Sequence, residues 1–277
     1  MPPFPLITAF FHDATNSISY LIVDPVTYDA AIIDPVLDFD PVRGEASTTS
    51  AEQILATAAL QGARVVLSLE THIHADHPTA AAHIKARTGA LVGIGAQVAQ
   101  VQAIFAPRFG ITPAPDDFDL RLEDNARLKL GALEIEVLHV PGHTPADMAY
   151  KIADSVFTGD TIFMPDFGTA RTDFPGGDAH ALYRSISRLL ALPPQTRLFC
   201  GHDYTTATRD VNRWESTVAE HLAHNIHFRN DVDEESFVTL RQQRDAVLSA
   251  PRLLLPSLCA NIRAGRLPEP AQNAAAA

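Results

Sequence analysis

The segment ETHIHADHPTA, residues 70 to 80, places three histidines and two carboxylates within the eight positions from Glu70 to His77. It is preceded by RVVLSLE, a β-type apolar run, and followed by HPTAAAHIKARTG, a helical pattern closed by Gly89. The ligand-rich stretch therefore occupies the loop where a strand hands over to a helix. In α/β proteins such loops carry polar function on a rigid scaffold. A cluster of this density can hold one metal ion or two, and the number separates an oxidation from a hydrolysis.

The rest of the chain repeats the theme. SISYLIVD and DAAIIDPV are short β-branched runs separated by the turn-prone PVTY, which predicts a buried hairpin. SAEQILATAALQG predicts a helix with a capping box from Ser50 to Gln53, a shared face of Ile54, Leu55 and Ala58, and a stop at Gly62. RLKLGALEIEVLHVPGHT reads as two strands around Gly131, and MAYKIADSVFTGD as a further hairpin ending on Asp160. DAHALYRSISRLLAL predicts an amphipathic helix with Leu182, Ile186, Leu189 and Leu190 inward, and RLFCGHDY one more strand with a histidine at its tip. Strands and helices in this order predict an α/β chain of two sheets packed face to face with helices outside. No linker or internal period divides it, so residues 1–265 are expected to form one domain and residues 266–277, ending in PEPAQNAAAA, a frayed tail.

Composition narrows the function classes. With 21 basic against 33 acidic residues the formal charge is −12, and no Lys/Arg run could track a phosphate backbone. Nucleic acid and anionic membranes are thus not expected partners. Cys200 and Cys259 are the only cysteines, too few for a disulfide framework or a thiolate zinc knuckle. With neither a secretory leader pattern nor an 18-residue apolar run, the expected location is the cytoplasm. His12, His83, His139, His180, His221, His224 and His227 are expected to be structural, Cys200 a small apolar strand residue beside Phe199, and Trp214 and Phe228 packing residues on the helix after HDY.

The remaining strand tips supply a second group: His143 in PGHT, Asp160 in TGD and His202 in CGHD, beside His72, His74, Asp76 and His77. Imidazole and carboxylate drawn from separate strand ends suit zinc, iron or manganese. The ordered motifs His-x-His-x-Asp-His, Pro-Gly-His-Thr, Thr-Gly-Asp and Gly-His-Asp-Tyr resemble the metallo-β-lactamase superfamily. That resemblance implies an αββα sandwich with metal in a cleft along one edge of the sheets. His74 stands where the flavodiiron branch has Glu. The segments SISYLIVD, GDTIFMPDFGTARTDFPGGD, CGHDY, STVAEHLAHN and NIRAG, spanning about residues 7 to 265, further resemble the persulfide (sulfur) dioxygenases of the ethylmalonic-encephalopathy-protein type. Bacterial type II members and β-lactamase-like hydrolases of sulfide-detoxification operons are the nearest branch. ARTDFPGG is the most specific part, since thioester hydrolases of the glyoxalase II type lack that form.

This second resemblance implies one Fe(II) per chain, with zinc as the alternative, held by His72, His143 and Asp160. Two histidines and one carboxylate leave coordination positions open for O₂ and a substrate sulfur. His74, Asp76, His77 and His202 would then orient the ligands, or, in a two-metal hydrolase, complete the first site and build a second. The implied substrate is glutathione persulfide or a related low-molecular-weight persulfide, oxidised to sulfite with return of the thiol. Arg171 and Tyr204 match substrate-pocket positions, although Arg171 could equally pair with Asp173 or Asp166. Where relatives carry a basic residue this chain has Leu222, which leaves Arg209 or Arg213 to compensate. The resemblance also implies a homodimer and, because no rhodanese-like segment is fused here, a separate sulfur transferase partner. The alternative is a metal-dependent thioester hydrolase of the glyoxalase II type.

Overall fold

In the computed structural model, which describes residues 4–229 and 232–267, most strands collect into two mixed six-stranded sheets. The chain opens with an antiparallel meander, β1 (Leu6–His12), β2 (Ser17–Val23) and β3 (Asp29–Ile33). A small hairpin, β4 (Asp38–Asp40) and β5 (Glu45–Ser47), leads to helix α1 (Thr49–Leu60). Strand β6 (Arg64–Leu69) then returns parallel to β3. Helix α2 (Ala81–Thr88), β7 (Leu91–Gly95), α3 (Val98–Phe109) and β8 (Leu120–Leu122) carry the parallel part to its far edge.

The second sheet runs antiparallel through β9 (Arg127–Leu130), β10 (Leu133–His139), β11 (Met148–Ile152) and β12 (Ser155–Gly159). Helix α4 (Ala179–Leu190) crosses over to β13 (Arg197–Cys200), parallel to β12, and β14 (Glu215–Thr217) pairs with its outer side. Three helices follow: α5 (Val218–His224), α6 (Glu234–Asp245) and α7 (Leu254–Asn261).

The alternation along β10 explains the layering. Leu133, Ile135 and Val137 face inward and join Tyr20, Ile22, Leu69, Tyr150, Phe157 and Phe199 in a core between the sheets. On the opposite face Glu136 pairs with Lys151 of β11 at 2.8 Å. Leu182, Ile186 and Leu189 of α4 are fully buried against the outside of the second sheet, each contributing about 1.5–3 kcal/mol of apolar burial. Ile54, Ala58 and Ile84 bind α1 and α2 to the outside of the first. The order helix, sheet, sheet, helix is the αββα sandwich expected. Two buried tyrosines tie it to the strand tips: Tyr20 Oη donates to the carbonyl of Cys200 (2.6 Å), and Tyr150 Oη to that of Glu70 (2.7 Å).

Several local expectations are corrected. The Ser50–Gln53 capping box does not form; the Ser50 amide and hydroxyl both donate to Asp38, a tertiary partner that the local pattern could not reveal. Helix α2 begins at Ala81 rather than His77, because residues 78–80 are held outside the helix. The Leu37 amide donates to Pro78 and the Ala80 amide to Pro35, while the Thr79 amide donates to Asn261 Oδ1. Trp214 precedes β14 and Phe228 follows α5, so both pack against core clusters but neither lies on a helix. The expected tail beyond residue 267 lies outside the described residues. Among the described residues no helix is long and apolar enough to cross a membrane.

Candidate metal centre

Parallel pairing of β3 with β6 and of β12 with β13 brings their C-terminal ends to one side of each sheet. Asp34 follows β3; His72, His74, Asp76 and His77 follow β6; His143 follows β10; Asp160 follows β12 and His202 follows β13. Asp160 is the hub. Its Oδ2 lies 3.8 Å from both His72 Nε2 and His143 Nε2, and its Oδ1 lies 3.5 Å from His202 Nε2. His202 Nε2 is in turn 3.3 Å from Asp76 Oδ2.

Two candidate ligand groups result, one of His72, His143 and Asp160 and one of His74, Asp76, His77 and His202, each with ligand atoms within 4.8 Å of one another. Asp34, Glu70 and His74 form a third group behind them. The candidate ligands named from the sequence therefore lie together, and Asp160 faces both groups.

The hydrogen bonds around the imidazoles decide which nitrogen faces the centre. His143 Nδ1 donates to the carbonyl of Arg171 (2.8 Å), His77 Nδ1 to that of Pro78 (3.2 Å) and His202 Nδ1 to that of Asn16 (3.2 Å). A carbonyl can only accept, so Nδ1 carries a proton, and in the neutral ring that leaves the Nε2 lone pair facing the centre. His72 Nδ1 lies 3.0 Å from Thr71 Oγ1, whose own proton goes to Asp34, giving the same tautomer. His72 Nε2, His202 Nε2, Asp76 Oδ2 and Asp160 Oδ1 are then buried with no hydrogen-bond partner among the described residues. Buried polar atoms are rarely left so. A cation is the partner such converging lone pairs fit, and the donor set suits zinc or iron.

Electrostatics point the same way. Burial, reinforced by the neighbouring imidazoles, pushes His72 well below the usual histidine range, and burial brings His77 down to about 3. Both stay neutral, as ligation requires. His74 differs: burial pushes it down, but Asp34 (3.1 Å from Nε2) and Glu70 (3.5 Å) outweigh this and raise it.

Asp76, His143 and Asp160 open onto a cavity of about 370 Å³, walled by Phe163, Phe167 and Phe174 and by Arg171, Arg241, Arg244 and Arg252. Arg171 and Tyr204 both line it. The Arg171 guanidinium is nonetheless committed: it donates twice to Asp173 at 2.6 Å and once to the carbonyl of Ser249 at 2.8 Å. Tyr204 stacks on His202 with ring centroids 5.5 Å apart. Burial, with Asp160 and Asp76 nearby, raises its hydroxyl above the usual tyrosine range. Leu222 packs into the helical layer against α4 and does not line the cavity. Arg209 is consumed by Asp166 and Asp203, and Arg213 lies 3.6 Å from Glu220; neither lines the cavity. Burial raises the Cys200 thiol, and its Sγ donates to the His202 carbonyl, so it behaves as the small strand residue expected.

Sequence reasoning gave no role to Asp34, Asn261, Arg244 or Arg252. Asp34 carried a usable signal, a carboxylate ending an apolar strand, the same one that marks Asp160. Asn261 on α7 opens the NIRAG segment that carried part of the resemblance, but its contact is tertiary: its Nδ2 donates to the carbonyls of His74 and His77 at 2.8 Å each.

A probable metallo-hydrolase from Burkholderia pseudomallei is 48% identical over 96% of this chain and 95% of its own length. A β-lactamase hydrolase-like protein from Xylella fastidiosa is 46% identical over 97% of this chain, which spans 63% of that protein. The crystal structure of ETHE1 from Myxococcus xanthus superposes with a TM-score of 0.77 at 28% identity, covering 94% of this chain and all (100%) of that one. The sequence model of the metallo-β-lactamase superfamily matches residues 13–202, a span that contains every candidate ligand named above. On its fold, its strand-tip ligands and this match, the chain belongs to the metallo-β-lactamase superfamily.

Proposed function

We propose that this protein is an iron-dependent persulfide dioxygenase of sulfide detoxification, which oxidises glutathione persulfide or a related low-molecular-weight persulfide with O₂ to sulfite and the thiol. One observation carries the reading. The segment ARTDFPGG, whose form separates the dioxygenases from the glyoxalase II type, buttresses a ligand of the three-residue group. The Arg171 carbonyl fixes the His143 tautomer, and the Phe174 ring meets the His143 ring edge-on at 5.7 Å. Similarity to ETHE1 of M. xanthus supports the same reading.

His72, His143 and Asp160 would hold the iron: His72 Nε2 is buried without a partner, and Asp160 Oδ2 lies 3.8 Å from it and from His143 Nε2. Bound iron supplies open coordination positions and the redox chemistry that O₂ requires. The chain's own residues do the rest. Phe163, Phe167 and Phe174 give the cavity an apolar wall that limits water around a reactive sulfur. Tyr204 keeps its proton and offers a donor to an anionic substrate. In the balanced reaction the persulfide anion, O₂ and one water give sulfite, the thiol and a proton. The outer sulfur loses the electrons that O₂ gains, and the sulfur–sulfur bond breaks.

A second reading, a two-metal thioester hydrolase, is favoured by Asp160 Oδ1, which faces His202 and the second ligand group. Metal content after purification without added metal, combined with oxygen uptake on glutathione persulfide, separates the two. One iron per chain with oxygen consumption supports the dioxygenase. Two zinc ions, no uptake and cleavage of a glutathione thioester would sink it.

A further inference from the structure

The arginines of the cavity wall divide into two kinds. Arg171 is paired with Asp173, and Arg241 donates to Asp245 (2.7 Å) and to the Thr169 carbonyl (3.0 Å). Arg244, in the last turn of α6, and Arg252, on the connection to α7, have no hydrogen-bond or ion-pair partner among the described residues. In a chain of net charge −12, two unpaired guanidinium groups on one cavity wall are conspicuous, because carboxylates to neutralise them are plentiful. The positive charge of Arg244 is also felt by Arg241 and His227. The cavity therefore offers an apolar middle at Phe163, Phe167 and Leu248, metal ligands at His143 and Asp160, and unpaired cations on the α6–α7 connection.

We propose that Arg244 and Arg252 form an anion subsite that binds the carboxylates of a dicarboxylate thiol carrier such as glutathione, and so do the work that Leu222 cannot. The proposal rests on the thiol-handling reading above. A guanidinium fork pairs with both oxygens of a carboxylate, and two forks suit a carrier with two carboxylates. Arg252 also lines an adjoining hollow of about 340 Å³, which shares Ala14, Thr15, Arg252 and Leu253 with the main cavity. A carrier longer than the first cavity has room to continue past Arg252.

The test is titration calorimetry on the metal-loaded full chain, using reduced glutathione and its diethyl ester, in which both carboxylates are masked. Arg244→Gln and Arg252→Gln are each expected to weaken glutathione binding about tenfold or more, with metal content unchanged. The ester should bind weakly to the parent and equally weakly to both variants. Undetectable glutathione binding to the parent, an ester that binds as tightly as glutathione, or variants that bind glutathione like the parent would each overturn the subsite. The comparison of acid with ester on the parent stands even if a variant fails to fold. Carboxylate-dependent binding without oxygen uptake on the persulfide would keep the subsite and sink the dioxygenase; uptake with binding indifferent to both arginines would do the reverse.

Discussion

Asn261 holds the ligand loop from a position 184 residues along the chain from His77. Its amide donates to the carbonyls of His74 and His77, and its Oδ1 accepts from the Thr79 amide, all at 2.8 Å. Removing them in Asn261→Ala should cost about 3 kcal/mol in denaturant unfolding, at roughly 1 kcal/mol per hydrogen bond. It should also speed loss of metal to a chelator, since the loop carries His72; parental retention would show that the loop is rigid without α7. On the proposed one-iron site, His72→Ala, His143→Ala and Asp160→Ala are each expected to abolish iron binding, whereas His202→Ala retains some. Complete iron loss in His202→Ala, read by metal analysis, would contradict a one-metal site.

At the scale of elements, the PGHT loop lies hard against the start of α4. Gly142 has φ of +148°, and a methyl group there would overlap the backbone of Leu182. Gly142→Ala must therefore push apart a loop and a helix that together place His143. A loss of about 2–4 kcal/mol of stability is expected, accompanied by weakened metal retention. Gly89, at the C-terminus of α2 with φ of +76°, has nothing within 4 Å of an added methyl. Gly89→Ala should cost only about 1 kcal/mol and leave metal content alone. Equal metal loss in the two variants would mean that general destabilisation, not the position of His143, governs the site.

For the whole molecule, two buried histidines outside the candidate ligand groups make stability sensitive to acid. His221 Nδ1 accepts from Asn225 Nδ2 (3.0 Å) and His227 Nδ1 accepts from the Thr169 amide (3.0 Å), so each must be neutral in the fold. Burial lowers them to about 4 and about 3. Both are bases depressed by folding, so their stabilisation is complete above the ordinary histidine value near 6.5 and is lost as pH falls below it. Between pH 7.5 and pH 5 the loss should be about 2 kcal/mol per histidine. In His221→Gln the difference in urea-derived stability between those pH values should shrink by that amount; an unchanged difference would locate the acid sensitivity elsewhere.

The sequence by itself determined the sandwich and which residues gather as candidate metal ligands, for a local reason. Each ligand is a polar residue interrupting or ending an apolar run, and a strand end is the place where such a residue can leave the core, as at His72, His143, Asp160 and His202. Alternation along Leu133–His139 likewise fixed which face of β10 is buried. Tertiary structure decided what depends on distant partners. Asp38 took Ser50 away from its cap, and the fold set the Arg171 carbonyl against His143, 28 residues away. Leu222 went into the helical layer, while Arg244 and Arg252 stand on the cavity wall with no partner among the described residues. Whether a charged side chain is spent or available depends on which carboxylate the fold brings beside it, and no local pattern in the chain records that.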